Sequence, residues 1–198
     1  MEAYDLKDVK VLVVEKHGNI RKLLRDVLNQ LTAQNIEDAS NIDDALAKFR
    51  ESPPDLILTD WAPGLDGIQF LKEVRNHGEK QENFVPVIML TANTETDHVC
   101  TARDAGMSEY LAKPFTVKLI YSRICAVVES ERPFVRAGRY FGPDRRRRRI
   151  EFSGREQRQH SNMNYADRRR RALPIRGHER RQGNPGFQTP ERRQGMRL

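Results

Sequence analysis

The sequence predicts an α/β domain, a doubly wound five-stranded parallel sheet with helices on both faces, followed by an arginine-rich tail. Three observations carry this. Short apolar runs of strand length alternate with segments of helical periodicity, five times in about 120 residues. Polar or charged residues stand where each run ends. Beyond Glu131 the apolar content falls and the charge changes sign.

Val11-Leu12-Val13-Val14 is a β-branched run of the kind buried on both faces of a parallel sheet. Ile20, Leu23, Leu24, Val27, Leu28 and Leu31 then follow the i, i+3, i+4, i+7 spacing of an amphipathic helix. A second strand is expected over 35–39. The helix after it carries Ile42, Ala45, Leu46 and Phe49 on one face, with Asn41 as its cap and Asp43 and Asp44 in its first turn. Leu56-Ile57-Leu58 is the third strand, entered through Pro53-Pro54. A helix starting near Asp66 carries Ile68, Leu71 and Val74. Residues 85–90 form the fourth strand, and Thr94-x-x-Asp97 opens the next helix as a capping box with a shortened acid. Residues 109–112 are the last strand. Val117, Ile120, Tyr121, Ile124 and Val128 mark the final helix.

In open parallel sheets the chemistry gathers at the carboxyl ends of the strands. That rule selects Glu15-Lys16, Asp60, Thr91 and Lys113 before any motif is consulted. There is no glycine-rich phosphate loop and no nucleophile–histidine pair, so a small-molecule α/β enzyme is not indicated.

The net charge of +7 conceals a division. Residues 1–131 hold 15 Lys/Arg against 22 Asp/Glu, a charge of −7, while 132–198 hold 20 Arg, no Lys and 6 Asp/Glu, a charge of +14. The expected units are a domain at 1–131 and a disordered tail at 132–198. Over 139–198, Leu, Ile, Val and Phe number 7 of 60 residues, too few for a core. Acids followed by arginines recur at Asp144, Glu156, Asp167, Glu179 and Glu191, in steps of 12, 11, 12 and 12. Twelve residues turn an α-helix roughly 120° past whole rotations, so the copies would not share a helix face.

Cys100 and Cys125 suggest neither a disulfide framework nor a zinc site. The N-terminus has no signal-peptide pattern and no apolar stretch reaches membrane-spanning length, so a soluble cytoplasmic protein is expected.

Five fragments fall in order: Val13-Val14-Glu15-Lys16, Leu58-Thr59-Asp60-Trp61, Leu65-Asp66-Gly67, Met89-Leu90-Thr91-Ala92 and Tyr110-Leu111-Ala112-Lys113-Pro114-Phe115. Over roughly residues 8–130 the chain resembles the receiver domains of two-component response regulators of the single-domain chemotaxis type. The resemblance implies a flavodoxin-like sheet in the order 2-1-3-4-5, with a signalling function and not an enzymatic one. It implies that Asp60 accepts a phosphoryl group from a sensor histidine kinase or phosphotransfer protein. Lys113 and Thr91 would contact the phosphoryl oxygens, with Pro114 in a cis turn and Tyr110 as an aromatic switch. Glu15 and Asp60 would hold Mg²⁺.

Two departures bear on the metal. Receivers end the first strand with two acids, where this chain has Glu15-Lys16, and the loop after Asp60 is one residue short. Mg²⁺ requires oxygen ligands in an octahedral shell, and an ammonium cannot serve. Either Lys16 replaces the metal's charge beside Asp60, or Glu15 keeps a weak Mg²⁺ site. Trp61, next to the acceptor, is expected to be packing.

The runs Arg145-Arg146-Arg147-Arg148-Arg149 and Arg168-Arg169-Arg170-Arg171, interleaved with aromatic residues, suit nucleic acid or an acidic protein surface. The tail could equally fold back on the acidic domain, or dock on an anionic membrane. A phosphorylation-independent scaffold that positions this tail is the second functional expectation, and a merely solubilising tail the dull one.

Overall fold

The computed structural model describes residues 4–76, 81–130, 132–138 and 140–145. Strands β1 (Lys10–Val14), β2 (Asn35–Ala39), β3 (Leu56–Asp60), β4 (Val87–Thr91) and β5 (Glu109–Ala112) form one parallel sheet in the order β2-β1-β3-β4-β5. The predicted order is the observed one. Helices α1 (Gly18–Gln30), α2 (Ile42–Glu51), α3 (Gly67–Asn76), α4 (Thr96–Asp104) and α5 (Val117–Glu129) complete the two outer layers.

The continuous apolar runs are explained by the alternation of side chains along a strand. Val11 and Val13 of β1 join Leu24, Leu28, Ile120 and Ile124 in a core formed with α1 and α5. Leu12 and Val14 point the other way, to Phe49, Phe70, Leu71 and Ala102 of α2, α3 and α4. Strands β1, β3 and β4 feed both cores, while the edge strand β5 gives Leu111 to the first. Leu23, placed on the apolar stripe by its spacing, is instead 45% exposed at the edge of α1.

Helix starts follow local chemistry. Asn41 caps α2, its side chain accepting the Asp44 N–H at 2.9 Å, as its position predicts. Asp66 Oδ1 accepts the N–H groups of Ile68 and Gln69 at 3.1 and 3.0 Å. The capping box expected from Thr94 does not form. Glu95 is the N-cap residue of α4 and makes no side-chain cap bond. Thr91 Oγ1 and Asn93 Oδ1 each accept the N–H two residues on, at 3.0 and 2.9 Å. These two local bonds carry the backbone past Thr94 before the helix can begin.

The boundary expected after Glu131 falls within ordered structure. Strands β6 (Phe134–Ala137) and β7 (Tyr140–Pro143) pair as an antiparallel hairpin. Phe134 and Phe141 bury their rings against Phe84, with centroids 5.2 and 5.1 Å from it. Beneath Phe134 lies the buried guanidinium of Arg75, which donates to the carbonyls of Gly106, Asn83 and Val85 at 2.8–3.0 Å. Arg132 binds Ser108 O and Glu109, and Arg145 binds Asp104 at 2.7 Å while lying over the Tyr140 ring. The composition of the long tail hid this hairpin, because its aromatic residues are diluted by the fifty that follow. The hairpin thus closes the amino ends of β4 and β5. Residues 146–198, with Arg146 to Arg149 of the first arginine run, the second run and every repeat after the one at Asp144, lie outside the described residues. No helix among the described residues is long and apolar enough to cross a membrane.

Removing the Phe134 ring leaves a cavity between Phe84, Phe141 and Arg75. Phe134→Ala is expected to lose about 3–5 kcal/mol of stability in urea unfolding. A chain ending after Glu131 should show a comparable loss, and one ending after Arg145 should keep the full-length midpoint. An unchanged midpoint in Phe134→Ala would show that the hairpin does not belong to the folded unit.

Candidate functional site

The parallel register assembles the site. Val14 pairs with Thr59, so Glu15 emerges beside Asp60, and Asp60 pairs with Leu90. Thr91 ends β4 level with Ala112, and the Lys113 N–H donates to Thr91 O at 2.8 Å. The Lys113–Pro114 peptide is cis, as the resemblance implies.

Lys113 Nζ lies 2.7 Å from Glu15 Oε2 and 3.0 Å from Asp60 Oδ1. Both carboxylates are buried, at 0% and 1% exposure. Glu15 Oε1 accepts the backbone N–H of His17 at 2.8 Å and faces its Nδ1 at 2.9 Å. Lys113 touches Asp60 Oδ1 as a charge contact only, and no donor among the described residues reaches Oδ2.

Two buried carboxylates sharing one ammonium differ in proton affinity. Burial raises the Glu15 pKa, but the bonds from Lys113 and His17 outweigh it and hold that carboxyl below its ordinary value. Burial raises Asp60 as well, the negative charge of Glu15 adds to it, and the Lys113 contact does not compensate. Burial disfavours the Lys113 ammonium, yet its two carboxylate partners raise its pKa overall.

The loop after Asp60 is tight. Ala62-Pro63-Gly64-Leu65 is a turn closed by Leu65 N–H to Ala62 O at 2.9 Å, with Pro63 second and Gly64 third at φ +84°, the pattern of a type II turn. This is how the chain accommodates its missing residue. Lys16 runs along the turn, and a Cβ on Gly64 would lie 2.6 Å from its Nζ. Gly67 opens α3 against the acceptor strand, where a Cβ would come within 2.2 Å of Asp60 O. No larger residue leaves α3 in that place.

Trp61 does more than fill space. Its ring stacks on His98 of α4, with centroids 3.4 Å apart and planes 13° from parallel. His98 Nε2 stands 3.5 Å from Thr91 Oγ1, and Tyr110 donates its hydroxyl to Asn93 O at 2.7 Å. Arg21 binds the carbonyls of Glu15 and Lys16 at 2.7 and 2.8 Å, fixing the end of β1. The structure therefore brings Glu15, Asp60 and Lys113 into one pocket, with Thr91 and Tyr110 linked beside it through Asn93. His17, His98 and Arg21 were not singled out from the sequence. His17 follows the Glu15-Lys16 pair directly, which was a usable signal. His98 had none.

The donor set does not fit the Mg²⁺ that the resemblance implies. Both Glu15 oxygens are engaged, Asp60 Oδ1 faces Lys113, and the buried Asp60 Oδ2 alone of the four has no donor or cation on it. No group of three His, Cys, Asp or Glu side chains among the described residues is placed to hold a metal ion. The adjacent position holds the Lys16 ammonium, where an octahedral oxygen shell needs another ligand.

The response regulator receiver domain family profile matches residues 11–125. The chain belongs to that family. Over 130 residues it is 30% identical to chemotaxis protein CheY-3 of Vibrio cholerae serotype O1, covering 65% of this chain and 98% of that protein. It is 38% identical over 125 residues to the phosphate regulon transcriptional regulatory protein PhoB of Escherichia coli, covering 63% of this chain and 53% of PhoB. The solved structure of V. cholerae chemotaxis protein CheY4 superposes with a TM-score of 0.56 at 29% identity, over 60% of this chain and 98% of that one. A Francisella response regulator receiver domain gives 0.54 at 28%, over 60% and 95%. The receiver thus accounts for the five-stranded domain, and the arginine-rich extension lies beyond these matches.

The raised Asp60 pKa makes a signed prediction. A carboxyl more acidic in the unfolded chain than in the receiver costs stability when ionised, and this cost disappears below its unfolded pKa. Asp60→Asn should therefore be more stable than wild type at neutral pH. The difference should shrink as pH falls through the range where Asp60 is protonated, read from urea midpoints. A wild type more stable than Asp60→Asn at neutral pH would contradict it.

Proposed function

We propose that this receiver accepts a phosphoryl group on Asp60 from a phosphohistidine of a histidine kinase or phosphotransfer protein, and signals through protein contacts without turning over a small-molecule substrate. The observation that carries the reading is the contact of Lys113 with Asp60 Oδ1 while the buried Oδ2 has no donor among the described residues, at the carboxyl end of the central strand. A carboxylate in that setting has one oxygen in an ion pair and one whose lone pairs are not spent on a hydrogen bond, which suits it to act as the nucleophile once the donor is seated.

The chemistry makes modest demands on the chain. Oδ2 attacks phosphorus, and negative charge must be met on the transferring oxygens. Lys113 stands beside the acceptor, and its second contact to Glu15 keeps it there before the donor arrives. Thr91 Oγ1 already accepts the Asn93 N–H, so the proton it carries can pass from its long contact with His98 Nε2 to a phosphoryl oxygen. A shift of Thr91 would move Asn93, whose carbonyl holds the Tyr110 hydroxyl. That is a physical route from the acceptor to the β4–α4 loop and β5. The partner is a phosphodonor protein, as membership in the family implies. Its chemotaxis and transcriptional relatives differ in output, so neither output is carried over.

With acetyl phosphate and millimolar MgCl₂, the intact chain should gain one phosphoryl mass, mapped to Asp60. Asp60→Asn should gain none. Lys113→Ala should be labelled on the order of 10²-fold more slowly, the usual cost of losing one preorganised charge partner. Equal labelling of wild type and Asp60→Asn would rule out Asp60 as the acceptor.

A further inference from the structure

We propose that Lys16 is the second cation of the acceptor pocket, and that phosphoryl transfer to Asp60 runs between the Lys16 and Lys113 ammonium groups without a divalent cation. The inference rests on Asp60 being the acceptor.

The placement comes from the sheet register. Val14, the last residue of β1, lies level with Thr59, so Glu15 and Lys16 leave the strand beside the end of β3 where Asp60 stands. Its backbone is pinned there by the Arg21 bond to Lys16 O. Its side chain follows the tight turn that leaves the acceptor, in the space a side chain at position 64 would fill. Lys16 is exposed and forms no ion pair among the described residues, whereas Lys113 is committed to two carboxylates. One positive charge at the rim is thus unspent.

The charge balance needs it. Glu15, Asp60 and Lys113 together carry one net negative charge, and an arriving phosphoryl group adds more. A divalent cation would have to settle beside the Lys113 ammonium with one undonated carboxylate oxygen to bind, and position 16 offers an ammonium in place of a second acid. An ammonium at the rim meets the phosphoryl oxygens as a point charge, with no need for an octahedral shell. The step balances without a metal. The P–O bond of acetyl phosphate, or the P–N bond of a ring-protonated phosphohistidine, breaks with its electron pair going to the leaving acetate or neutral imidazole. The new P–O bond forms from an Asp60 Oδ2 lone pair.

The test uses the full chain, acetyl phosphate and intact-mass labelling, in EDTA and in millimolar MgCl₂. Wild type should label at the same rate in both. Lys16→Met should be slower on the order of 10²-fold in both buffers, and Lys16→Arg should retain most of the rate. Lys16→Asp should label only with MgCl₂. Trp61 emission, read without any phosphodonor, should be unaffected by MgCl₂ in wild type and change saturably in Lys16→Asp. Wild-type labelling that requires MgCl₂, a saturable wild-type Trp61 response, or a Lys16→Met rate equal to wild type would each overturn this inference and leave Asp60 as acceptor. No labelling in either buffer would overturn the acceptor reading and this inference together.

Discussion

Glu15 and Asp60 are buried side by side with one ammonium between them, and much of this molecule can be understood as the means of holding that arrangement. A buried carboxylate is tolerated only when paired and hydrogen-bonded. Glu15 meets the requirement, with Lys113 on one oxygen and His17 on the other. Asp60 meets it by half. The imbalance leaves the nucleophilic oxygen without a donor, a costly state for a resting carboxylate and a useful one for an acceptor. To keep it, β1, β3 and β5 must end at matched heights, Arg21 must fix the end of β1, and α3 must press on Asp60 closely enough to require Gly67.

The parts of the fold visible in the sequence are those set by short-range pattern. Val11 to Val14 and Leu56 to Leu58 are apolar at every position because each strand is covered on both faces, and such runs can hardly be anything else here. Asp60, Thr91 and Lys113 were found because parallel strands share a carboxyl edge, so the ends of apolar runs converge in space. Asn41 capped its helix because the bond it makes is local. The failures involve competition or distance. Thr94 lost its cap role when Thr91 and Asn93 claimed the neighbouring N–H groups. Trp61 and His98 are 37 positions apart, and nothing in the spacing of either shows that they stack. Lys16 was recognised as an ammonium out of place, but its path along the Gly64 turn depended on a loop conformation that the missing residue alone did not specify.

The hairpin failed for another reason. Phe134, Tyr140 and Phe141 are three aromatic residues within eight positions, a dense signal lost when averaged with a long basic segment. Their partner is an arginine. Arg75 leaves the end of α3, donates from Nε and Nη1 to three carbonyls and presents its face to Phe134. Carbonyls and an aromatic ring make a buried cation acceptable where an apolar residue could not tie three segments together. The hairpin is thus held at the amino edge of β4 and β5, and the carboxyl edge is left to the pocket.

Helix α4 joins these two ends. Its first turns carry His98, stacked on Trp61 and within reach of Thr91, and its last residue, Asp104, holds Arg145 where the described chain ends. Ala102 is its one buried residue, fewer than any other helix of the domain has. An element with so little core burial is held by the contacts at its ends, and it responds when either changes. At one end stands the hydroxyl of Thr91, the residue that closes β4 beside the acceptor strand. At the other is the first of the five consecutive arginines that begin at position 145. The weakest-packed helix therefore carries the Trp61 stack at one end and the ion pair with Arg145 at the other.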